Sequence, residues 1–124
     1  MMPKNRPVLY YCIFAFTLLV CQLNAQTVRN DAVRFYHMGR EALNQNRILD
    51  AIQFFQQSSE YNENYSDAYR ETARAFYYLD ELDEAEDYIM QALNLAPLDS
   101  RNLNLYGRIL ITGGKFDDAE IIFT

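Results

Sequence analysis

Apolar residues recur at helical spacing through most of the chain, and short polar segments separate the runs. Tyr69, Ala73 and Phe76 lie at i, i+4 and i+7, which places them on one face of a helix. A second stripe of the same kind follows after a short LDE turn. In the LAPLDS segment beyond it, a proline ends the helix, and Asp99 or Ser100 is placed to cap the next one. The pattern predicts a helical hairpin.

This hairpin pattern recurs along the chain at one fixed spacing, a period of about 34 residues. Each unit has small residues at two equivalent positions and mostly large apolar residues at two others. The aligned sets are Ala51, Ala85 and Ala119; Gly39, Ala73 and Gly107; Phe35, Tyr69 and Leu103; and Phe55, Ile89 and Phe123. Small side chains let two helices approach closely, and the large ones fill the remaining space. A period of this length is the signature of a stacked repeat array.

From residue 32 onward the chain resembles a tetratricopeptide repeat (TPR) protein, whose pattern is W-x2-L-G-x2-Y, then A-x3-F, then P. The middle unit has Pro97 at the family's proline position, whereas the first unit has Glu63 there and Ala42 where an aromatic residue is usual. The resemblance implies an all-α fold, a right-handed α-solenoid of about two and a half to three helix-turn-helix units. The predicted repeats are residues 32–65, 66–99 and 100–124, the last of them incomplete.

The N-terminal segment, residues 1–25, has the layout of a secretory signal peptide. Lys4 and Arg6 precede an apolar run, Val8–Val20, and Ala25 offers a small residue for cleavage. The run is well short of the roughly 20 residues that a membrane-spanning helix needs. We expect residues 1–25 to be a signal peptide and residues 26–31 to be a short linker.

Two alternatives to cleavage remain open for the N-terminus. The stretch LLVC resembles a bacterial lipoprotein box, which would make Cys21 a lipidated first residue, and an uncleaved signal anchor is the other alternative. Either would tether the repeats to a membrane. In all cases we expect export, with the periplasm or cell envelope of a bacterium as the location.

The composition narrows the classes of function. With a net charge of −6 the chain lacks the clustered basic residues that phosphate contacts require, so we expect no nucleic-acid partner. His37 is the single histidine, and no nucleophile motif or phosphate loop is present. The acidic run Asp80–Asp87 lacks the spacing of a calcium loop and fits a helix start, which carboxylates stabilise through the helix dipole. We therefore expect no enzymatic activity, cofactor or metal.

Basic and acidic residues divide between the two helices of each unit. The predicted first (A) helices, residues 32–45, 66–79 and 100–112, hold six arginines. The second (B) helices, residues 48–61, 82–95 and 116–124, hold nine acidic residues and no basic one. Arg40, Arg74 and Arg108 recur once per unit and lie opposite the core stripe. The resemblance implies that A helices line a partner-binding groove; its predicted residues are Tyr36, Arg40, Asn44, Arg70, Arg74, Tyr78, Arg101, Asn104 and Arg108.

These features favour a scaffold or adaptor that binds a protein or peptide in the A-helix groove, and the arginines there would suit an acidic ligand. In a different interpretation, the arginines form solvated ion pairs with Glu41, Glu71 and neighbouring repeats. Two alternative functions also remain: the repeats are the recognition arm of a larger envelope protein or enzyme, or they assemble with themselves. Self-association would use the apolar residues 121–123, because the third repeat lacks a polar capping helix.

Overall fold

The computed structural model describes residues 6–123, and all regular structure in that range is helical. The helices are α1 (Arg6–Asn44), α2 (Ile48–Tyr61), α3 (Ser66–Tyr78), α4 (Leu82–Leu95), α5 (Ser100–Thr112) and α6 (Phe116–Phe123). They form three hairpins, α1 with α2, α3 with α4 and α5 with α6, and each hairpin packs on the next. The predicted α-solenoid is therefore confirmed, with α1, α3 and α5 as the A helices.

Within each hairpin a small residue faces a large one. A Cβ atom built on Gly39 would lie 2.5–2.9 Å from three ring atoms of Phe55, which is closer than van der Waals contact allows. The third hairpin repeats this arrangement at Gly107, where a Cβ would overlap an aromatic ring of α6. The middle hairpin has Ala73 and Ile89 at the same positions, and both are fully buried. Alanine in place of glycine is thus accompanied by a partner that is narrower than phenylalanine.

The turn inside each hairpin has one residue in the left-handed conformation. The φ angles are 59° at Asn46, 63° at Asp80 and 77° at Gly114, which occupy the same position in the three repeats. Asn, Asp and Gly tolerate this conformation better than other residues. In each turn the next N–H donates a hydrogen bond to a carbonyl five positions earlier: Arg47 to Ala42, Glu81 to Phe76 and Lys115 to Leu110. This Schellman arrangement ends each A helix in the same way.

The first helix is much longer than the repeat requires. The segment expected to be a linker, residues 26–31, is helical, so α1 runs without interruption from the apolar N-terminal stretch into the first repeat. Its first buried residue is Ala32, and the apolar side chains before it are exposed. By length and composition α1 could cross a membrane, and the side chains of its most apolar stretch are exposed. A signal sequence near the N-terminus has the same properties.

Acidic residues lie at helix starts, as expected. Asp99 caps α5 by accepting a hydrogen bond from the backbone N–H of Arg101 at 2.9 Å. Asp83 and Glu84 lie in the first turn of α4, and two aspartates occupy the first turn of α6. Among residues 6–123, no group of three or more His, Cys, Asp and Glu side chains is placed to hold a metal ion.

Candidate functional site

The candidate site is the layer of A helices, here called the A-helix face. It comprises the outward positions of α1 from residue 33 onward, of α3 and of α5. Of the nine predicted groove residues, six are exposed, Arg74 is half-buried, and Tyr36 and Arg70 are buried. The exposed six are Arg40, Asn44, Tyr78, Arg101, Asn104 and Arg108.

Arg70 does not present its guanidinium to a partner, although the sequence predicted it in the groove. Its side chain is only 3% exposed. The guanidinium donates to Asp67 at 2.6 Å and lies 3.8 Å from Asp99. Its Nε is buried without a hydrogen bond, with Glu71 Oε1 at 3.6 Å. Arg70 therefore joins α3 to the start of α5 from inside the molecule.

Asn102 completes this buried connection, and sequence reasoning missed it. It is fully buried, and its Oδ1 accepts a 3.4 Å hydrogen bond from Arg70. Its amide nitrogen donates to Ser66 Oγ at 3.1 Å and to the Ala92 carbonyl at 3.2 Å, so it links α5 to α3 and α4. The repeat alignment contained a signal that Asn102 occupies a core position, because the equivalent residue one repeat earlier is Ala68, which is buried. A polar residue at a core position requires internal hydrogen-bond partners.

Glu71 lies among three arginines of the A-helix face. It is 2% exposed and accepts a hydrogen bond from Arg74 at 3.0 Å. Arg40 on α1 donates to the Tyr36 hydroxyl at 3.4 Å. That bond first, and then the negative charge of Glu71, raise the pKa of Arg40 above its usual value. The predicted pairing of arginines with Glu71 is therefore present, whereas Glu41 accepts from Gln45 at 2.7 Å instead.

A second cluster spans α3 and α5, and it contains a residue that the sequence pattern did not single out. The hydroxyls of Tyr77 and Thr112 lie 3.2 Å apart and share a hydrogen bond. The Arg108 guanidinium lies 5.4 Å from the centre of the Tyr77 ring, a cation–π geometry. The hydrogen bond with Thr112 and, after it, the contact with Arg108 lower the pKa of Tyr77. Tyr78, which was predicted, is 56% exposed beside it.

Arg101 is exposed but already paired. Its guanidinium lies 2.7 Å from Asp99 Oδ2 and 3.5 Å from Asp67 Oδ1. The Arg101 side chain, followed by its backbone N–H, lowers the pKa of Asp99 from 3.8 to about 2. Most of the attraction that Arg101 could offer to a partner is thus directed to carboxylates of the protein itself.

The A-helix face nevertheless keeps a positive excess. The three A helices from residue 33 onward, together with the Asp99 cap of α5, carry six guanidiniums and four carboxylates, an excess of two positive charges. Within the part of the chain that the structure describes, no carboxylate oxygen lies within 4.0 Å of the Arg40 or Arg108 guanidinium. These two arginines are the cations available to a ligand.

Comparisons with known proteins agree with this architecture. Residues 67–97 match the family described as Tetratricopeptide repeat. No curated protein sequence matches the chain significantly.

Three solved structures illustrate the shared fold. A crystal structure of MamA protein is 22% identical over 77% of this chain and 52% of that chain, with a TM-score of 0.72. The second TPR of Spaghetti (RPAP3), bound to the HSP90 peptide SRMEEVD, is 20% identical over 80% and 92% of the two chains, with a TM-score of 0.75. The Arabidopsis OM64 TPR domain is 17% identical over 77% and 79%, with a TM-score of 0.74.

The chain spans only about half the length of the MamA chains. At these identities the likeness concerns the fold, and the matched repeat coincides with the hairpin of α3 and α4. The chain therefore contains a tetratricopeptide repeat at residues 67–97 and has the α-solenoid fold of TPR domains.

Proposed function

We propose that this protein is a non-enzymatic interaction module that binds an extended acidic segment of a partner on its A-helix face. The observation that carries the proposal is the pair of guanidiniums, Arg40 and Arg108, that lack a carboxylate partner on a face whose other arginines have one. The B helices carry nine acidic residues and no basic one. An acidic segment is therefore attracted to one layer of the solenoid and repelled by the other.

The surroundings of the two arginines suit a peptide. Tyr77 and Tyr78 provide rigid aromatic area on α3 at little cost in side-chain entropy. Arg guanidiniums form bidentate hydrogen bonds with carboxylates, which are stronger than neutral hydrogen bonds. The RPAP3 neighbours with this fold bind a peptide that ends in EEVD, which supports the proposed ligand class.

Charge reversal tests this function. The full chain in a non-ionic detergent is titrated into a fluorescent acidic peptide, and anisotropy reports binding. We expect Arg40→Glu with Arg108→Glu to weaken binding by about a hundredfold, because each change replaces an attraction by a repulsion. Arg47→Glu is the matched control, since Arg47 is exposed in the α1–α2 turn outside the A-helix face. Equal binding by all variants, with helicity unchanged, would exclude the A-helix face.

We also propose that α1 delivers the repeats to the far side of a membrane and, if it is not cleaved, holds them there. The continuous helix and the exposed apolar residues before Ala32 support this proposal. Mass spectrometry of the protein from a bacterial host separates the three cases. A start at Gln26 indicates cleavage after Ala25, a lipid adduct on Cys21 indicates a lipoprotein, and an intact N-terminus in the membrane fraction indicates an anchor.

Self-association is a second candidate function, favoured by the exposed apolar residues of the last hairpin. Phe116, Ile121 and Phe123 are 65%, 74% and 54% exposed. We expect Ile121→Ser to reduce any concentration-dependent increase in mass, measured by analytical ultracentrifugation in detergent. A mass that is constant with concentration would exclude this function and leave the peptide-binding proposal untouched.

A further inference from the structure

We propose that the A-helix face recognises two acidic residues about five or six positions apart in an extended segment, with neutral residues between them. The inference rests on the proposed function and specifies its ligand. It follows from how the arginines are paired and from the repeat geometry.

The middle of the A-helix face is electrostatically satisfied. Arg74, on the central helix α3, pairs with the buried Glu71 at 3.0 Å. Arg70 is buried among Asp67, Glu71 and Asp99. An acidic residue placed over α3 would meet a guanidinium whose charge is already offset, so it gains little there.

The two available cations lie on the outer A helices. Arg40 is on α1 and Arg108 is on α5, two repeats apart at equivalent positions. The Arg108 side chain is turned toward α3, where its guanidinium lies over the ring of Tyr77. The Arg40 guanidinium donates to the Tyr36 hydroxyl of its own helix.

The repeat geometry sets the separation. Packed helices lie about 8–10 Å apart, and taking this spacing for each of the two steps from α1 to α5 gives a separation of roughly 16–20 Å. An extended chain rises about 3.3 Å per residue, so this distance corresponds to about five or six residues.

The central helix, α3, determines which peptide residues are preferred between the two acidic residues. Tyr77 and Tyr78 offer aromatic surface there, whereas the paired arginines of α3 offer an additional carboxylate little attraction. The preferred segment therefore has an acidic residue at each end and neutral, preferably apolar, residues in the middle. A compact acidic cluster would contact one arginine at a time.

Peptides of identical composition test the spacing. Each is blocked at both ends and carries two glutamates in a neutral background. The glutamates are adjacent, at the proposed spacing, or at twice that spacing, and a further peptide has a single glutamate. Isothermal titration of the full chain in non-ionic detergent measures the affinities. We expect the peptide with the proposed spacing to bind about tenfold more tightly than the others, because its second contact forms intramolecularly.

Two variants locate the contacts. Arg40→Gln and Arg108→Gln should each reduce the affinity for the correctly spaced peptide to that for the single-glutamate peptide. Arg47→Gln, whose arginine pairs with Asp50 at 2.9 Å away from the A-helix face, should keep the full preference. Circular dichroism verifies that each variant is as helical as the parent.

The outcomes separate the inference from the proposed function. If every glutamate peptide binds with the same affinity, and Arg40→Gln and Arg108→Gln weaken all of them equally, the spacing rule is overturned and acidic binding stands. If no glutamate peptide binds more tightly than a neutral one, the proposed function itself fails. A preference that survives both variants would also overturn the inference, because other residues would then create it.

Discussion

The solenoid has two junctions between successive hairpins, and equivalent positions hold opposite chemistry in them. The first junction, between the hairpins of α1–α2 and α3–α4, has Val33, Tyr36, Tyr65 and Ala68. One repeat later, the second junction has Asp67, Arg70, Asp99 and Asn102. In the first, the rings of Tyr36 and Tyr65 lie 5.2 Å apart. In the second, hydrogen bonds and ion pairs join the same backbone positions. The repeat geometry therefore does not depend on one kind of contact.

One side-chain hydrogen bond occurs in the first and the second hairpin, although its donor lies on a different helix in each. In the first hairpin Ser58 Oγ, on α2, donates to the Ala32 carbonyl of α1 at 2.7 Å. In the second, Ser66 Oγ, on α3, donates to the Ala92 carbonyl of α4 at 3.1 Å. The serine and alanine have exchanged positions. Either helix can therefore supply the hydroxyl that joins the two backbones.

The largest expected effect comes from breaking the second junction at its centre. Arg70→Ala would leave Asp67 and Glu71 without their buried partner, and we expect a loss of about 3–5 kcal/mol in the free energy of unfolding. Urea denaturation followed by circular dichroism measures it.

The first junction provides the control for this variant. Asp67→Val, Arg70→Tyr, Asp99→Tyr and Asn102→Ala together install its residues in the second junction. Most of the stability should return, because apolar packing can replace a buried ionic network. If the fourfold variant is no more stable than Arg70→Ala, the two junctions are not interchangeable.

The comparison of the first and second hairpins predicts the next effect. Gly39→Ala would drive a Cβ into the Phe55 ring, and we expect a loss of about 1–3 kcal/mol through overpacking. Adding Phe55→Ile reproduces the Ala73–Ile89 pair of the second hairpin and should recover part of that loss. Thermal unfolding of the single and double variants measures both effects. An additive loss in the double variant would show that the two positions are not coupled.

Acid should weaken the second junction before the first. The folded-state pKa of Asp99 is about 2, below its ordinary 3.8. Ionised Asp99 therefore stabilises the fold above about pH 4, and this contribution disappears as the pH falls from about 4 toward 2. Because Asp99 also caps α5, its loss should cost up to about 2 kcal/mol.

Amide hydrogen exchange measures this effect in each helix separately. Exchange should accelerate in α5 over this pH range and much less in the repeat part of α1. Asp99→Asn should remove the difference in pH dependence, and equal acceleration of the two helices in the wild type would contradict the assignment.

The sequence predicted the fold well because the repeat period appears in residues whose size is constrained. Small residues such as Ala51 and Ala85 must be small wherever two helices meet, so the period reports helix bounds directly. The left-handed turn residues also repeat, although they differ in type, which makes Asn46 and Asp80 harder to recognise.

The candidate site was predicted less completely, because outward positions are not constrained by packing alone. Helical phase placed Arg40 and Arg108 correctly on the surface, but it gave Arg70 the same role, and Arg70 is buried. Whether a phase-equivalent arginine faces solvent depends on the neighbouring helix, here on Asp99 and Asn102 of the following repeat. A period within one helix carries no information about such partners.

The smallest expected effect comes from Gly114, whose function is to adopt a left-handed turn rather than to make room for a neighbouring helix, as Gly39 does. Gly114 has φ of 77° and no atom within 4 Å of a Cβ built on it, so Gly114→Ala introduces conformational strain without a steric clash. We expect a loss of about 1 kcal/mol in the free energy of unfolding. Gly113 is the matched control, because its φ of −78° suits any residue and its nearest contact would be 3.4 Å, so Gly113→Ala should change stability less.

Thermal unfolding of these two variants and of Gly39→Ala would compare the stability lost through backbone strain with the stability lost through overpacking. Equal losses at Gly113 and Gly114 would show that the left-handed turn does not require glycine, in agreement with the Asn46 and Asp80 that occupy its place in the earlier repeats. A larger loss at Gly114 would instead mean that the third turn, unlike the first two, depends on the conformational freedom of its glycine.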